Sequence, residues 1–361
     1  MKEHLLFLTP GLGKGGAETQ LLKVATESSA TYEVLIIALK PINNFSEDLK
    51  IRGIKVLFLQ KWKTHFFSNL ITLISTLRSF KPTVVIAFMF VAIIVARLLK
   101  VFFKYKLISS VRNSVIGKKW SLLYKLTYKL DDAVVFNSNA SKKNFERLKI
   151  ISDNSLVINN AISIPVDDQI KVAVASDPFV WISMAHFRPS KDYDTLFEAI
   201  KLLQNQNFRV DIIGHLNNLA WPARKINDLG IQTQVRLLGF KKNALEYLNT
   251  SNALVLSSFN EGMPNAILEA MSFGKPVVAS AIDGINELLT NSGCGLLFEA
   301  GNANDLADKM KITMNLSNEQ VCEISSKGRS YILEHFADQT VKGQWMTLIR
   351  RFSSDGKVVL A

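Results

Sequence analysis

The chain has 361 residues, of which 48% are hydrophobic and 20% charged, and it carries a formal net charge of +12 at pH 7. This length and composition predict a globular protein of two domains, each able to bury its own core. Cys294 and Cys322 are the only cysteines and form no CxxC motif, so the sequence suggests neither a disulfide-stabilised fold nor a Cys-based metal site.

The apolar segments of the chain are short. The longest uncharged apolar run, Val84 to Ala96, has 13 residues, whereas a membrane-spanning helix needs about 20. The first residues, Met1 to Leu8, contain too brief an apolar run for a signal peptide. We therefore expect a cytoplasmic protein without a spanning helix.

Short apolar runs alternate with helical patterns along the first half. The predicted strands are His4–Thr9, Tyr32–Leu39, Lys55–Leu59, Val84–Phe88, Lys106–Ser110 and Ala133–Asn137, with a last strand and a polar linker over Val157–Asp168. Helical patterns run through Ala25 and over Ser68–Phe80 and Lys119–Leu130. Strands that alternate with helices predict a parallel sheet covered on both faces.

The same alternation restarts in the second half. The predicted strands here are Phe179–Ala185, Phe208–Ile213, Val235–Leu238, Ala253–Ser257 and Pro276–Ser280, and the predicted helices are Asp194–Gln204, Trp221–Gly230 and Ala266–Phe273. We predict an α/β protein of two doubly wound, Rossmann-like domains, residues 1–165 and 166–338, with a C-terminal helix in residues 339–361 that packs back on the first domain. Such sheets bind ligands outside the carboxyl ends of their strands, so we expect a ligand cleft between the domains.

A glycine motif follows the first predicted strand. Gly11, Gly13 and Gly16 spell G-x-G-x-x-G, which formally matches a dinucleotide-binding fingerprint. That fingerprint needs an acid at the end of the second strand, but this strand ends in Leu39 and Lys40, which disfavours a nicotinamide cofactor. Glycines at a helix start still let backbone N–H groups approach an anion. We expect Gly15 and Gly16 to meet a phosphate; a tight turn without a ligand is the alternative.

Two glutamates, Glu261 and Glu269, flank a turn in "EGMPNAILEAMSFG". Glu261 is on the loop after a predicted strand, and Glu269 is on the next helix, one turn beyond Asn265 and on the same face. The N–H groups of Gly262, Met263 and Asn265 lie at the start of this helix, where its dipole favours an anion. The pattern predicts a site for a phosphorylated, hydroxyl-rich ligand. The alternative is structural, with Glu261 as a helix-start acid and Glu269 facing solvent.

The segment "EGMPNAILEAMSFGKPVVAS" resembles the E-x7-E signature of retaining, nucleotide-sugar-dependent glycosyltransferases of family four, which have the GT-B fold. The resemblance covers nearly the whole chain and extends to five further segments. They are "GLGKGGAETQLL", "VINNAI", "FRPSKDYDTLFEAI", "VRLLGF" and "SSVRN", the last of which recurs in bacterial polysaccharide members.

The resemblance implies roles for individual residues. Glu261 would contact the donor sugar near its reacting end, Lys191 would neutralise the diphosphate, and Glu269 would hold the ribose hydroxyls. The other implied donor-binding residues are Gly15, Gly16, Arg188, Gly239, Phe240, Gly262, Met263, Pro264 and Asn265. Transfer would retain the anomeric configuration, with the leaving diphosphate helping to deprotonate the acceptor. The resemblance implies no cofactor and no obligatory metal.

The chain departs from the family pattern in two places. The Gly-Arg pair that usually precedes the Lys is replaced by Ala185 and His186, and Arg188 is a candidate to replace the lost Arg. The segment Ala87–Ala92 lacks the His that many members carry near the acceptor. A D-x-D motif, Asp192–Asp194, resembles a metal site of another glycosyltransferase fold, but its place before a helical pattern favours Asp192 or Asp194 as a helix N-cap.

The basic charge lies in the first half, where we expect the acceptor and a membrane to bind. Residues 1–165 have 24 Lys and Arg against 10 Asp and Glu, a net charge of +14, and the remainder has a net charge of −2. In Gly117–Leu130 an aromatic stripe is flanked by lysines, with leucines on the neighbouring face, which suits an anionic membrane surface. The residues predicted to face the membrane are Lys118, Lys119, Trp120, Tyr124, Lys125 and Lys129, and those predicted on the acceptor or donor side are Arg112 and Asn113. For Gly117–Leu130 the alternative is an ordinary amphipathic helix, and for the basic excess it is a surface needed only for solubility. For Arg112 and Asn113 it is a loop-ordering role. No nucleic-acid module is recognisable.

Taken together, the patterns predict an enzyme that moves a hexosyl or N-acetylhexosaminyl group from a nucleotide sugar, a UDP-sugar, to a lipid-linked glycan. The expected setting is bacterial O-antigen or capsule biosynthesis at the inner face of the cell membrane. Two alternatives from other classes stay open. They are a non-catalytic sugar-binding or scaffold protein of the same fold and an NAD-dependent oxidoreductase.

Overall fold

The chain divides into two compact units. The computed structural model describes residues 2–13, 15–45, 49, 52–112, 116–166, 170, 177–216 and 219–353. One unit comprises Met1–Ala161 and the segment from Gln339 onward, and the other comprises Ile162–Asp338. Each unit is built on a parallel β-sheet flanked by helices.

The first unit contains a seven-stranded sheet in the order β3-β2-β1-β4-β5-β6-β7. Its strands are β1 (His4–Thr9), β2 (Glu33–Ala38), β3 (Lys55–Phe58), β4 (Val84–Phe88), β5 (Lys106–Val111), β6 (Ala133–Phe136) and β7 (Ser155–Val157). The helices described here are Gly16–Ser29, Phe66–Phe80, Phe90–Lys100, Lys118–Thr127 and Asn139–Arg147, together with Asp338–Phe352 from the end of the chain.

Both faces of the first sheet are buried. In β1, Phe7 enters one core and Leu8 enters the other. The core around Phe7 includes Trp345 of the C-terminal helix, whose ring stacks on Phe88 at 5.9 Å. The other core takes residues from the helices Phe66–Phe80, Phe90–Lys100 and Asn139–Arg147. A strand buried on both faces is apolar at every position, which is why these strands are continuous apolar runs in the sequence.

The second unit contains a six-stranded sheet in the order β10-β9-β8-β11-β12-β13. Its strands are β8 (Phe179–Met184), β9 (Phe208–Ile213), β10 (Val235–Gly239), β11 (Ala253–Leu256), β12 (Val277–Ser280) and β13 (Gly295–Phe298). The helices described here are Tyr193–Leu202, Trp221–Leu229, Ala244–Thr250, Asn265–Ser272, Asp283–Ser292, Ala303–Met314 and Asn318–His335.

The sequence patterns locate most strands within two residues, with two exceptions. The last strand of the first unit is Ser155–Val157, whereas the sequence predicted that it begins at Val157. β13 was not predicted because it begins with Gly295, which has low strand propensity. Glycine is needed there, since a Cβ at this position would lie 2.2 Å from the carbonyl oxygen of Val277 on β12.

In each sheet the strand order reverses at one place. The chain proceeds outward from β1 through β2 and β3 and then returns to β4, and in the second unit it proceeds from β8 through β9 and β10 and returns to β11. Loops at the carboxyl ends of such strand pairs are the usual ligand sites of doubly wound sheets. Within the described part of the chain, no helix is both long enough and apolar enough to cross a bilayer.

Candidate active site

Lys191 and Glu261 lie together at the carboxyl edge of the second sheet. Lys191 follows β8 and Glu261 follows β11, the two adjacent strands between which the strand order reverses. The Nζ of Lys191 donates a hydrogen bond to Oε1 of Glu261, and the Oγ of Ser258 donates to the same oxygen at 2.9 Å. The lysine and glutamate side chains are 21% and 14% exposed. A cation and a hydroxyl therefore hold this carboxylate at the edge of the sheet.

The backbone of Lys191 is fixed by the strand that precedes Glu261. A 3₁₀ turn, Pro189–Lys191, is followed by Asp192 in the left-handed region, with φ at 46°. The Oγ of Ser257, directly after β11, lies 3.1 Å and 2.8 Å from the carbonyl oxygens of Lys191 and Asp192. Because these bonds join the loop after β8 to the loop after β11, they fix the positions of Lys191 and Glu261 relative to each other.

Of the two aspartates predicted as candidate N-caps, Asp192 caps the next helix. Its Oδ1 accepts a hydrogen bond from the N–H of Thr195 at 3.3 Å, at the start of Tyr193–Leu202. The D-x-D motif at this position is therefore explained by helix capping. In the residues that the structure describes, no group of three or more His, Cys, Asp or Glu could hold a metal ion.

The loop after Glu261 is packed closely against the helix Asp283–Ser292. A Cβ on Gly284 would lie 2.2 Å from the carbonyl oxygen of Gly262 and 2.8 Å from that of Glu261. Any residue larger than glycine at 284 would have to move backbone atoms of the loop. The close approach of this helix thus helps to fix Glu261.

The remaining predicted donor residues of this loop occupy the start of a helix. Gly262, Met263 and Pro264 are buried, and the helix Asn265–Ser272 begins directly after them. Asn265 and Glu269 are half-buried one turn apart on this helix, so the predicted helical placement of Glu269 is confirmed. Their assigned contacts with a ligand stay predictions.

Three aromatic rings bridge the carboxyl ends of β8, β9 and β10. The rings of His215 and Phe240 stack at 4.5 Å with an interplanar angle of 3°, and the His186 ring lies 5.0 Å from that of His215. The N–H of His215 donates to Nδ1 of His186 at 3.0 Å. Gly239 precedes Phe240 with a φ of 68°. The nearby Arg188 is exposed.

The sequence analysis names His186 and Phe240 separately, but it does not predict the cluster or a role for His215. A signal was available, since His186, His215 and Phe240 each stand one or two residues beyond the end of a strand. The close approach also needs Gly214, where a Cβ would lie 2.0 Å from the carbonyl oxygen of Ala185.

In the first unit, Gly15 and Gly16 begin the helix Gly16–Ser29 after β1. A Cβ on Gly15 would lie 2.6 Å from a carboxylate oxygen of Glu18. The chain's own carboxylate therefore lies at this helix start, where the helix dipole favours negative charge. That Gly15 and Gly16 meet a phosphate stays a prediction.

The first sheet places Arg112 at its carboxyl edge, directly after β5. Arg112 is buried, and its Nε donates to Oγ of Ser110 at 2.9 Å while its Nη1 donates to Oδ1 of Asn160 at 3.1 Å. Asn113, predicted beside it, lies outside the described residues.

The helix Lys118–Thr127 is oriented differently from the prediction. Tyr124 was predicted to face a membrane, and this is wrong: the residue is 1% exposed and its ring packs on Phe90 and Phe145, under the guanidinium of Arg97 at 3.8 Å. The leucines of this helix are exposed instead, with Leu126 72% exposed. The residues of the prediction that do reach the surface are Trp120, Lys125 and Lys129, and the side chains of Lys118 and Lys119 lie outside the described part of the structure.

Family models match both units of the chain. The description "Glycosyl transferases group 1" matches residues 167–330, and "Glycosyltransferase Family 4" matches residues 14–164. The chain belongs to glycosyltransferase family 4. The family resemblance predicted from the sequence is confirmed.

Curated relatives match about half of the chain. An Escherichia coli UDP-Gal:alpha-D-GlcNAc-diphosphoundecaprenol alpha-1,3-galactosyltransferase is 31% identical over 166 residues, which is 44% of this chain and 42% of the relative. A Campylobacter jejuni N,N'-diacetylbacillosaminyl-diphospho-undecaprenol alpha-1,3-N-acetylgalactosaminyltransferase is 26% identical over 226 residues, 59% and 57% of the two chains. An uncharacterized glycosyltransferase of Methanocaldococcus jannaschii is 28% identical over 246 residues, 61% and 60%. The chain thus spans roughly half the length of these relatives.

Solved structures match almost the entire chain. The Anabaena protein HepE in complex with UDP and glucose has a TM-score of 0.83 and 19% identity, covering 96% of this chain and 98% of that one. A Rickettsia africae glycosyltransferase has a TM-score of 0.82 and 18% identity, covering 97% and 98%. At such identities the likeness shows the fold, and the predicted GT-B fold is confirmed.

Proposed function

We propose that this protein transfers a sugar from a nucleotide sugar to a glycan on a lipid carrier. The observation that carries the proposal is the Lys191–Glu261 pair at the point where the strand order of the second sheet reverses. A cation and a carboxylate held together at a ligand-binding edge suit a donor that combines a diphosphate with hydroxyl groups. Family membership supports the same chemistry.

Each charged residue has a separate role in the proposed reaction. Lys191 neutralises the charge that grows on the diphosphate as the glycosidic bond breaks, and Glu261 accepts hydrogen bonds from the donor sugar. Glu269 holds the ribose hydroxyls. The departing diphosphate helps to deprotonate the acceptor, so that transfer occurs on the face from which it leaves, with retention. Fixed charges supply the stabilisation, and we propose that no cofactor or obligatory metal is needed.

A UDP-sugar is the donor we favour, a hexose or an N-acetylhexosamine. HepE, which shares the fold, was solved with UDP and glucose, and the name of the Escherichia coli relative specifies UDP-galactose. In this chain Gly239 and Phe240 would hold the base at the end of β10. The His186–His215–Phe240 cluster lies beside that position and would form the wall of the base pocket.

We propose a lipid-linked acceptor at the inner face of a bacterial membrane, in O-antigen or capsule biosynthesis. Residues 49–130 contain 16 Lys and Arg and no Asp or Glu. Within this stretch, Leu122, Leu123 and Leu126 are exposed beside the exposed Lys125. Exposed leucines between lysines suit shallow insertion at an anionic surface. The names of the Escherichia coli and Campylobacter relatives specify diphosphoundecaprenol acceptors.

Two experiments test the proposal in sequence. A thermal-shift screen with UDP-, GDP-, ADP- and CMP-sugars should show stabilisation by UDP-sugars. The stabilising sugar is then supplied with a prenyl-diphosphate-linked GlcNAc, and the anomeric configuration of the product is determined by NMR. Stabilisation without turnover of any acceptor or water would favour a non-catalytic sugar-binding protein, and a product of inverted configuration would refute retention.

A further inference from the structure

The first unit contains two buried arginines, Arg97 and Arg112, of which Arg97 pairs with a carboxylate and Arg112 bonds to neutral groups. Arg97 forms a two-pronged ion pair with Asp131, from Nε to Oδ1 at 2.9 Å and from Nη2 to Oδ2. Burial lowers the pKa of Arg97, but the hydrogen bond and the charge of Asp131 outweigh this and leave the pKa raised. This arginine therefore has its counter-charge within the chain, although burial also raises the pKa of Asp131.

Arg112 is nearly as buried, with 7% of its surface exposed, but it has no carboxylate partner among the residues that the structure describes. Its two polar partners, Ser110 and Asn160, are neutral, and Nη2 has no hydrogen-bond acceptor in the described structure. Burial lowers the pKa of Arg112 to about 9. A buried charge without a counter-charge is costly, and chains rarely keep one without a compensating partner.

Arg112 lies at the carboxyl edge of the first sheet, where doubly wound sheets bind ligands. Its guanidinium is held at the carboxyl edge of the sheet between residues of three strand ends: Ser110 of β5, Asn160 beyond β7, and Phe88, the last residue of β4. The rings of Phe88 and Trp345 lie 5.1 Å and 5.6 Å from the guanidinium carbon and stabilise the cation partially. These contacts fix the guanidinium in one orientation and leave its buried Nη2 without an acceptor among the described residues.

We propose that Arg112 binds a phosphate oxyanion of a substrate, and we assign that phosphate to the diphosphate of the lipid-linked acceptor. The planar fork of a guanidinium matches a phosphate with two parallel hydrogen bonds. The donor diphosphate already has a cation in Lys191 of the second unit, whereas Arg112 belongs to the unit that carries the basic excess. The assignment to the acceptor rests on the proposed function; the phosphate site itself does not.

The test measures binding and stability, not turnover. Wild type, Arg112→Met and Arg147→Met are titrated with pyrophosphate, UDP and geranyl diphosphate, a soluble prenyl diphosphate, and Kd and the melting temperature are recorded. Arg147→Met is the matched control because Arg147 is an exposed arginine of the same unit. We expect Arg112→Met to bind geranyl diphosphate about 10- to 100-fold more weakly and UDP as wild type does. Without ligand, Arg112→Met should melt above wild type, because it removes the uncompensated charge.

Each other outcome identifies what failed. Loss of UDP binding with unchanged geranyl diphosphate binding would overturn the assignment to the acceptor, and equal losses in Arg147→Met would overturn the site. Absence of binding of both pyrophosphate and geranyl diphosphate to wild type would also refute it. Absence of UDP binding alone would count against the proposed function and leave the phosphate site standing. If Arg112→Met does not fold, Arg112→Lys, which keeps the charge but loses the fork, should show a smaller loss in the same direction.

Discussion

The Nζ of Lys191 donates a hydrogen bond to Oε1 of Glu261, and the two residues stand on the loops after adjacent parallel strands, β8 and β11. Each side chain therefore competes with a ligand for binding to the other. A diphosphate that binds Lys191 competes with the carboxylate of Glu261, and a sugar hydroxyl that binds Glu261 competes with the ammonium group. In the proposed reaction, the donor breaks this ion pair: its diphosphate binds Lys191, and its sugar binds Glu261.

Glu261→Gln should strongly slow transfer without weakening nucleotide binding. The neutral amide accepts weaker hydrogen bonds from the donor sugar than the carboxylate does, and loss of a preorganised contact of this kind lowers kcat by about 10²- to 10³-fold. UDP should bind up to about fivefold more tightly, because Lys191 is released from a partly exposed ion pair. Calorimetry with UDP and a transfer assay measure the two effects. A variant that turns over like wild type would remove Glu261 from the donor site.

Lys191→Ala should have the complementary effect. We expect UDP binding to weaken by about 10- to 100-fold, since a charge-assisted hydrogen bond to the diphosphate is lost, and uridine binding to change little. Lys201→Ala is the control, because Lys201 carries the same charge but donates to Gln204 away from this edge. Equal losses for UDP and uridine would mean that Lys191 does not contact the diphosphate.

Gly284→Ala should displace the Glu261 loop, because the helix Asp283–Ser292 packs against the backbone of that loop. The added Cβ would lie 2.2 Å from the carbonyl oxygen of Gly262, and such overpacking costs about 1–3 kcal/mol. We expect a lower melting temperature and weaker transfer. Gly343→Ala is the matched control, because nothing lies within 4 Å of a Cβ there and alanine stabilises a helix interior by about 0.5–1 kcal/mol relative to glycine. If both variants melt alike, the contact between Gly284 and the loop carries no strain.

The sequence predicted the strands and the Glu261 loop well, because both depend on local signals. Strands buried on both faces are unbroken apolar runs, and Gly274, which follows the helix after Glu261, has the positive φ, 64°, typical of a helix end. For the ring cluster, local signals place each ring just beyond a strand end but do not show that the three rings meet. His186, His215 and Phe240 meet only because β8, β9 and β10 are neighbours in the sheet, and strand order is a property of the whole fold.

The helix Lys118–Thr127 shows a different reason for failure. Its sequence offers two apolar stripes, one containing Tyr124 and the other Leu122 and Leu126. Periodicity alone does not determine which stripe is buried. The choice depends on Phe145 and Arg97, which lie on other helices and enclose the Tyr124 ring.

Because the leucine face of the helix Lys118–Thr127 is exposed and Tyr124 is buried, the membrane prediction becomes more specific. We expect Leu122→Ser with Leu126→Ser to weaken binding to anionic vesicles by about 3 kcal/mol, roughly 100-fold, because the inserted apolar area is lost. The remaining binding should still fall as salt rises. Lys125→Ser with Lys129→Ser should cost about 1 kcal/mol per lysine and reduce that salt dependence. Tyr124→Phe keeps the buried ring and should bind as wild type does. Co-sedimentation with vesicles at low and high salt measures all three variants. Unchanged binding in the leucine variant would return this helix to an ordinary amphipathic element of the fold, since exposed leucines that insert into lipid cannot be replaced by serine without loss.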